Sequence, residues 1–323
     1  MDVATLDPVT VALAIIVISS IYLFLRAINK SSGPRVRQIN IYPIKSCAEI
    51  QVASATVTPR GFEHDRIFQV VVKSSGDDDA SWTYCTPREK KYEKLFHVQP
   101  SVLYGGAFLK LTSSQVQKKE ERITTDVCLF KLKGNVTSTK KATVMGDAEV
   151  SLDDYGDNAA GWLERATGIE GCRLVGIGDG FNRSVEVNSD QGDVVPTEKN
   201  APVSLADEAP FLLTSQESLD DLNIRLISSG KDAIDMRRFR PNIVISGLSP
   251  WEEDTLKRIK IGSTEFHVWQ RCGRCTMTTI DRDSLSRCGE PLSTLSSFRE
   301  RENGQRNFGM HLIPVAESIE GDR

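Results

Sequence analysis

RCGRCTMTTID, residues 271–281, sets two thiols three residues apart, Cys272 and Cys275, and flanks them with Arg271 and Arg274. Residues 276–280 then read as a strand, rich in Thr and Ile. A thiolate beside fixed positive charge forms more readily and is a good soft-metal ligand. The stretch therefore suits one reactive or metal-bound sulfur next to an anionic group. Other readings of the pair compete with this one. A structural zinc site usually takes four ligands. Cys47, Cys85, Cys128, Cys172 and Cys288 form no second such pair, and His64, His97, His267 and His311 are scattered. A thioredoxin-like pair opens a helix after a strand, whereas a strand pattern follows here. Free cysteines also pack as small hydrophobes, but two arginines do not suit an ordinary apolar core.

Three further segments accompany it: YPIKSC at 42–47, HDRIF at 64–68 and FRPNIVIS at 239–246. Together with CGRCTMTTID they resemble the MOSC family of molybdenum-cofactor domains, and most of all its amidoxime-reducing members. The resemblance runs from about Arg35 to about Gly309. It implies a mostly β fold with packed helices (α+β): a MOSC-type β-barrel domain with a β-rich domain before it; an N-terminal transmembrane anchor is expected ahead of them from the apolar run at 9–25. The expected division is an anchor at 1–30, a β-rich domain at 35–176 and a MOSC domain with the cofactor site at 177–323.

By the same resemblance the second cysteine of the motif, Cys275, is the protein ligand to molybdenum. Lys45, Ser46, Arg66, Arg240, Asn242 and Arg274 match positions that contact the molybdenum cofactor (Mo-molybdopterin). A phosphate-bearing pterin with an oxo-metal centre is a large anion, and holding it needs cations of fixed geometry. Each of these residues also has an ordinary reading. Lys45 and Ser46 suit a surface turn. Arg66 suits an ion pair with Asp65 or Glu63, and Arg240 belongs to a basic run with Arg237 and Arg238. SLADEAP at 204–210 aligns with a family segment that carries two hydroxyl residues after the aspartate; here Asp207 is followed by Glu208 and Ala209. Asp207 suits a catalytic general acid or base, or a carboxylate capping the entry to the next helix.

The implied activity is molybdenum cofactor-dependent reduction of N-hydroxylated compounds, amidoximes and hydroxylamines. The implied electron source is cytochrome b5 and its NADH-dependent reductase. The sequence holds no flavin or nicotinamide motif, which fits an external donor. The alternatives are a cofactor-binding or sulfur-carrier module without turnover, and a thiol-redox protein.

Composition bounds the rest. A chain of 323 residues can bury one or two cores. A net charge of −4 argues against a general nucleic-acid binder. Seven cysteines, an odd number without regular spacing, do not form a secreted disulfide framework, so a reducing compartment is expected. Residues 9–25, VTVALAIIVISSIYLFL, carry no charge and span roughly 25 Å at helical rise. A cleaved signal would begin with a basic stretch. Asp2 and Asp7 stand there instead, so an uncleaved anchor is expected. Lys30, Arg35 and Arg37 follow it and keep the large domain cytosolic. The family favours the mitochondrial outer membrane over the endoplasmic reticulum.

Along the chain, strands are expected at 35–43, 50–57 and 66–72, with a solvated hairpin tip at 74–80. A helix follows at 157–167 with Gly168 beyond its end, then a long loop at 177–200. A capping box at Thr214 and Glu217 opens a helix that stops at Gly230. A strand at 242–246, a short helix from Ser249-Pro250 to about Arg258, and strands at 259–269 and 275–280 complete the pattern. After Phe308-Gly309 the family adds a strand, a turn and a closing strand, where this sequence has ESIEGDR. Either an unpaired edge is expected near the C-terminus, or the chain is truncated relative to its relatives.

Overall fold

The computed structural model describes residues 33–74, 81–113, 128–132, 136–145, 149–187, 200–300 and 304–319. The expected anchor, most of the hairpin tip at 74–80 and much of the 177–200 loop lie outside these residues. Among the described residues, no helix is long and apolar enough to cross a membrane.

Five strands close a barrel: Phe68–Lys73, Trp82–Tyr84, Ser138–Thr143, Glu149–Asp154 and Arg173–Gly176. Ser138–Thr143 and Glu149–Asp154 pair antiparallel from Ser138 opposite Asp154 to Thr143 opposite Glu149. Ala142 beside Trp82 completes the ring. Val71, Trp82, Ala142, Leu152 and Val175 fill its interior. The helix Gly156–Thr167 closes one side. Ala159, Trp162, Leu163 and Ala166 recur at helical spacing and pack with Phe68, Val70 and Leu174. Gly168 ends the helix in the left-handed conformation, φ 75°, and donates its N–H to the Glu164 carbonyl.

The second unit is a seven-stranded sheet. Its order is Arg258–Ile261, Thr264–Gly273, Asn307–Pro314, Phe211–Ser215, Ile243–Ser246, Arg35–Ile41, Ile50–Val52. This corrects the expected placement of the barrel: the closed barrel is N-terminal, and the C-terminal residues build the sheet. The sheet also crosses the expected boundary at 176/177. Arg35–Ile41 pairs antiparallel with Ile243–Ser246 and with Ile50–Val52, because Ile39 and Ile41 pack with Phe211, Leu213, Ile243 and Phe266. The edges of the sheet are Ile50–Val52 and Arg258–Ile261. Asn307–Pro314, near the C-terminus, is instead buried throughout and paired on both sides. Gly309 is required there: φ is 83°, and a Cβ would stand 2.6 Å from the Leu213 carbonyl oxygen.

Several local expectations are revised. Residues 276–280 are not a strand. Thr276–Thr279 forms a 3-10 turn, because the Thr278 hydroxyl donates to the Cys275 carbonyl at 2.9 Å and the Thr279 hydroxyl to Thr276 at 2.7 Å. Such local bonds compete with a sheet ladder. Arg66 does not open a strand either; its φ is 51° and the strand begins at Phe68. Thr214 lies in a strand, and the helix Gln216–Ser228 starts after Ser215. Glu217 accepts from the Ser215 hydroxyl at 2.9 Å and from the Gly247 N–H at 2.8 Å, so it ties the helix to the next strand end. The helix after Ser249-Pro250 is one 3-10 turn, Glu252–Thr255.

Glu253 in that turn is fully buried. Oε2 accepts from the Ser218 hydroxyl at 2.8 Å, while Oε1 has no hydrogen-bond partner. Burial pushes its carboxyl from an ordinary 4.5 to about 7. A raised carboxyl favours the native state fully below its unfolded value, and that contribution is lost as pH rises through the folded one. Stability measured by urea midpoint should therefore fall between pH 4.5 and about 7, by on the order of 3 kcal/mol. Glu253→Gln should flatten this slope; an unchanged slope would assign it to another group.

Candidate active site

Segments from both halves of the chain meet at one cavity of about 280 Å³. Lys45, Ser46, Arg66, Asp207, Arg240, Asn242, Arg274 and Cys275 all line it. These are the eight positions singled out from the sequence. The backbone that delivers them is unusual. Ser46, Arg66 and Arg240 hold φ of 71°, 51° and 57°. Non-glycine residues pay for this conformation and keep it where the surroundings over-determine it. Here the Lys45 N–H donates to Phe68 at 2.7 Å, Arg66 N–H to Tyr42 at 2.7 Å and Arg240 N–H to Arg237 at 3.2 Å.

Tyr42 and Asn242 brace the cationic side. The Arg66 and Arg240 guanidinium carbons lie 4.7 and 4.3 Å from the Tyr42 ring centroid. Arg66 pairs with Asp65 and donates to Asn242 Oδ1 at 3.2 Å and the Arg240 carbonyl at 3.3 Å. Asp65 also accepts from the Tyr42 N–H at 2.7 Å. Asn242 Oδ1 takes a second bond, from the Leu212 N–H at 3.2 Å, and its Nδ2 donates to Asn40 at 3.3 Å. Its amide oxygen is thus engaged in joining the two halves. The Ser46 hydroxyl donates to the Cys85 carbonyl at 3.2 Å, which leaves its lone pairs as acceptors.

Some donors stay open. Arg240 Nη1 donates to the Cys47 carbonyl at 2.6 Å, yet its buried Nη2 has no partner. Arg274 donates to Cys272 Sγ and the Phe239 carbonyl, both at 2.7 Å, but its Nε has none. Arg88 pairs with Asp207 at 3.1 Å, and its Nε is likewise bare. A buried charged donor without a partner is costly, and all three arginines line the cavity. The residues present therefore fit an anion with several acceptors.

Asp207 carries two ion pairs, to Lys45 and to Arg88. Burial raises its carboxyl, but Lys45, then Arg88 and Arg66, outweigh it and hold Asp207 below the usual range. This favours the ionised carboxylate, which accepts from Lys45 and Arg88. It does not cap the next helix, which begins at Gln216. Arg183 fixes its loop by donating to the Ser204, Ala206 and Asp207 carbonyls at 3.1, 2.5 and 3.2 Å. The two thiols of the motif differ in kind. Cys275 is exposed at the cavity, whereas Cys272 is buried. Burial pushes the Cys272 thiol up, with Arg274 opposing. Among the described residues no three of His, Cys, Asp and Glu converge as a metal cage. A metal here would take one protein sulfur and draw its other ligands from a cofactor.

Sequence reasoning missed Tyr84, Arg88, Arg238 and His311, which also line the cavity. Arg88 follows Thr86-Pro87 in a turn with no periodicity to mark it. His311 had a signal, since it interrupts the apolar run FGMHLIP of a fully buried strand.

Residues 200–320 match the MOSC domain, and residues 33–170 match the MOSC N-terminal beta barrel domain. The chain is 32% identical over 281 residues to a molybdenum cofactor sulfurase of Danio rerio, covering 84% of this chain and 31% of that protein. It is 30% identical over 272 residues to mitochondrial amidoxime reducing component 2 of Bos taurus, covering 82% of this chain and 72% of that protein. With mitochondrial amidoxime-reducing component 1 of Mus musculus the identity is 29% over 268 residues, covering 82% and 71%. The chain thus spans about a third of the length of the sulfurase.

Proposed function

On the premise that this chain belongs to the MOSC family, whose implied cofactor is the molybdenum cofactor, we propose that it is a reductase of N-hydroxylated compounds such as amidoximes and hydroxylamines. The observation that carries this reading is the convergence on one cavity of an exposed Cys275 with Lys45, Arg66, Arg240 and Arg274. The bare guanidinium N–H groups of Arg240 and Arg274 support it further.

In this reading Cys275 holds the metal through its sulfur. Arg240 and Arg274 satisfy phosphate and pterin acceptors, and Ser46 and Asn242 shape the walls. When bound, the cofactor supplies a centre that exchanges two electrons with the substrate. Reduction of an N–O bond to N–H also consumes two protons and releases water. Asp207, held charged by Lys45 and Arg88, orients donors. Cytochrome b5 and its NADH-dependent reductase supply the electrons. Residues 9–25 anchor the chain in a membrane, the mitochondrial outer membrane in preference to the endoplasmic reticulum, with the large domain cytosolic.

A second reading has its own support. The chain resembles about a third of a longer sulfurase, which suits a module that binds or carries the cofactor without turnover. Reduction of benzamidoxime by the cofactor-loaded chain with cytochrome b5, its reductase and NADH separates the two. Turnover above the donor chain alone supports the reductase. A loaded protein with no turnover of benzamidoxime or a hydroxylamine contradicts it.

A further inference from the structure

The cavity is electrically divided, and Glu208 is the anomaly in it. Its cationic side is buried: the side chains of Lys45 and Arg66 are 9% and 14% exposed. Most cavity charges are answered locally. Lys45 and Arg88 share Asp207, Arg66 has Asp65, and Arg238 has Asp281 at 3.1 Å. Glu208 lines the same cavity with its side chain 46% exposed. Among the described residues it has no lysine or arginine partner. Its nearest basic side chain among the described ion pairs is His311, whose Nδ1 lies 3.9 Å from Oε2, and the charge of Glu208 is also felt by the buried Cys272 thiol. That imidazole is buried. Burial pushes it down to about 4, and Glu208 opposes this shift without reversing it, while Arg274 and Arg66 add to it. His311 is therefore neutral at pH 7 and does not neutralise Glu208.

A carboxylate at the accessible side of a cationic cavity leaves a place for one positive charge. An anionic cofactor and a cationic substrate can then occupy the same cavity without like charges meeting. We propose that Glu208 is a specificity-determining residue that makes this cavity favour ligands carrying a positive charge. This rests on the cavity being the substrate site of a reductase. Glu208 acts by attraction to the bound molecule and takes no part in bond making.

Isosteric probes test it. The loaded parent chain should reduce 4-(trimethylammonio)benzamidoxime with a kcat/KM about fivefold above that of 4-tert-butylbenzamidoxime, the size expected for a half-exposed charge pair. Glu208→Gln should bring the ratio to about one, and Glu208→Asp should keep part of the preference. The matching benzamides, which have no N–O bond to reduce, supply a binding readout by titration calorimetry on the loaded protein, with the same order expected. Equal binding of the two benzamides to the parent overturns the proposal, as does an undiminished preference in Glu208→Gln. Failure of the parent to reduce either amidoxime overturns the reductase reading instead, and the binding arm still decides the role of Glu208.

Discussion

Replacing Cys275 with serine should abolish the proposed benzamidoxime reduction and leave the fold intact. The thiol is exposed at the cavity, just after the strand Thr264–Gly273 and at the start of a 3-10 turn. It buries little, so its loss costs little stability. It is the sulfur that would hold the metal, and a hydroxyl is a harder, weaker ligand for a centre that prefers thiolate. Cys272→Ala is the contrasting variant. Cys272 is buried and accepts from Arg274 at 2.7 Å, so its removal disturbs packing and frees a guanidinium donor. It should lower stability while retaining most turnover. Steady-state rates with circular dichroism on both variants check this. Equal turnover by Cys275→Ser and the parent would exclude Cys275 as the metal ligand.

The second large effect belongs to Arg240. Its guanidinium is buried, lies against Tyr42, and is fixed by one bond to Cys47 while Nη2 stays open. With an anion bound, truncating such a buried partner costs on the order of 2–5 kcal/mol. That corresponds to roughly 30- to 4,000-fold weaker retention. Arg240→Ala should therefore purify with little molybdenum or pterin. Arg240→Lys should fall between, since an ammonium keeps the charge but not the planar pair of donors. Full cofactor content in a folded Arg240→Ala protein would remove Arg240 from the site.

The cavity was more legible in the sequence than the architecture. Short motifs carry the side chains that matter, and Lys45, Arg66, Arg240 and Cys275 stand in four of them. Their meeting depends on contacts between residues far apart in the chain, such as Arg66 with Asn242. No periodicity encodes these. The alternation in Arg35–Ile41 marks it as a strand, yet nothing local to it says that its partner is Ile243–Ser246. The assignment of 276–280 failed for a different reason. Thr and Ile raise strand propensity, but the threonine hydroxyls bond the preceding backbone and tighten a turn. The Thr214 capping box failed because Thr214 is needed in a buried strand, and Glu217 binds Gly247 instead. Arg88 was invisible because a single arginine after Thr-Pro looks like any surface turn.

The most direct measurement is the molybdenum and pterin content of the purified parent chain, produced in a host that makes the cofactor. Stoichiometric amounts of both, lost together in Arg240→Ala and reduced in Cys275→Ser, are the predicted result. A folded parent chain that carries neither would contradict the assignment of this cavity as the cofactor site.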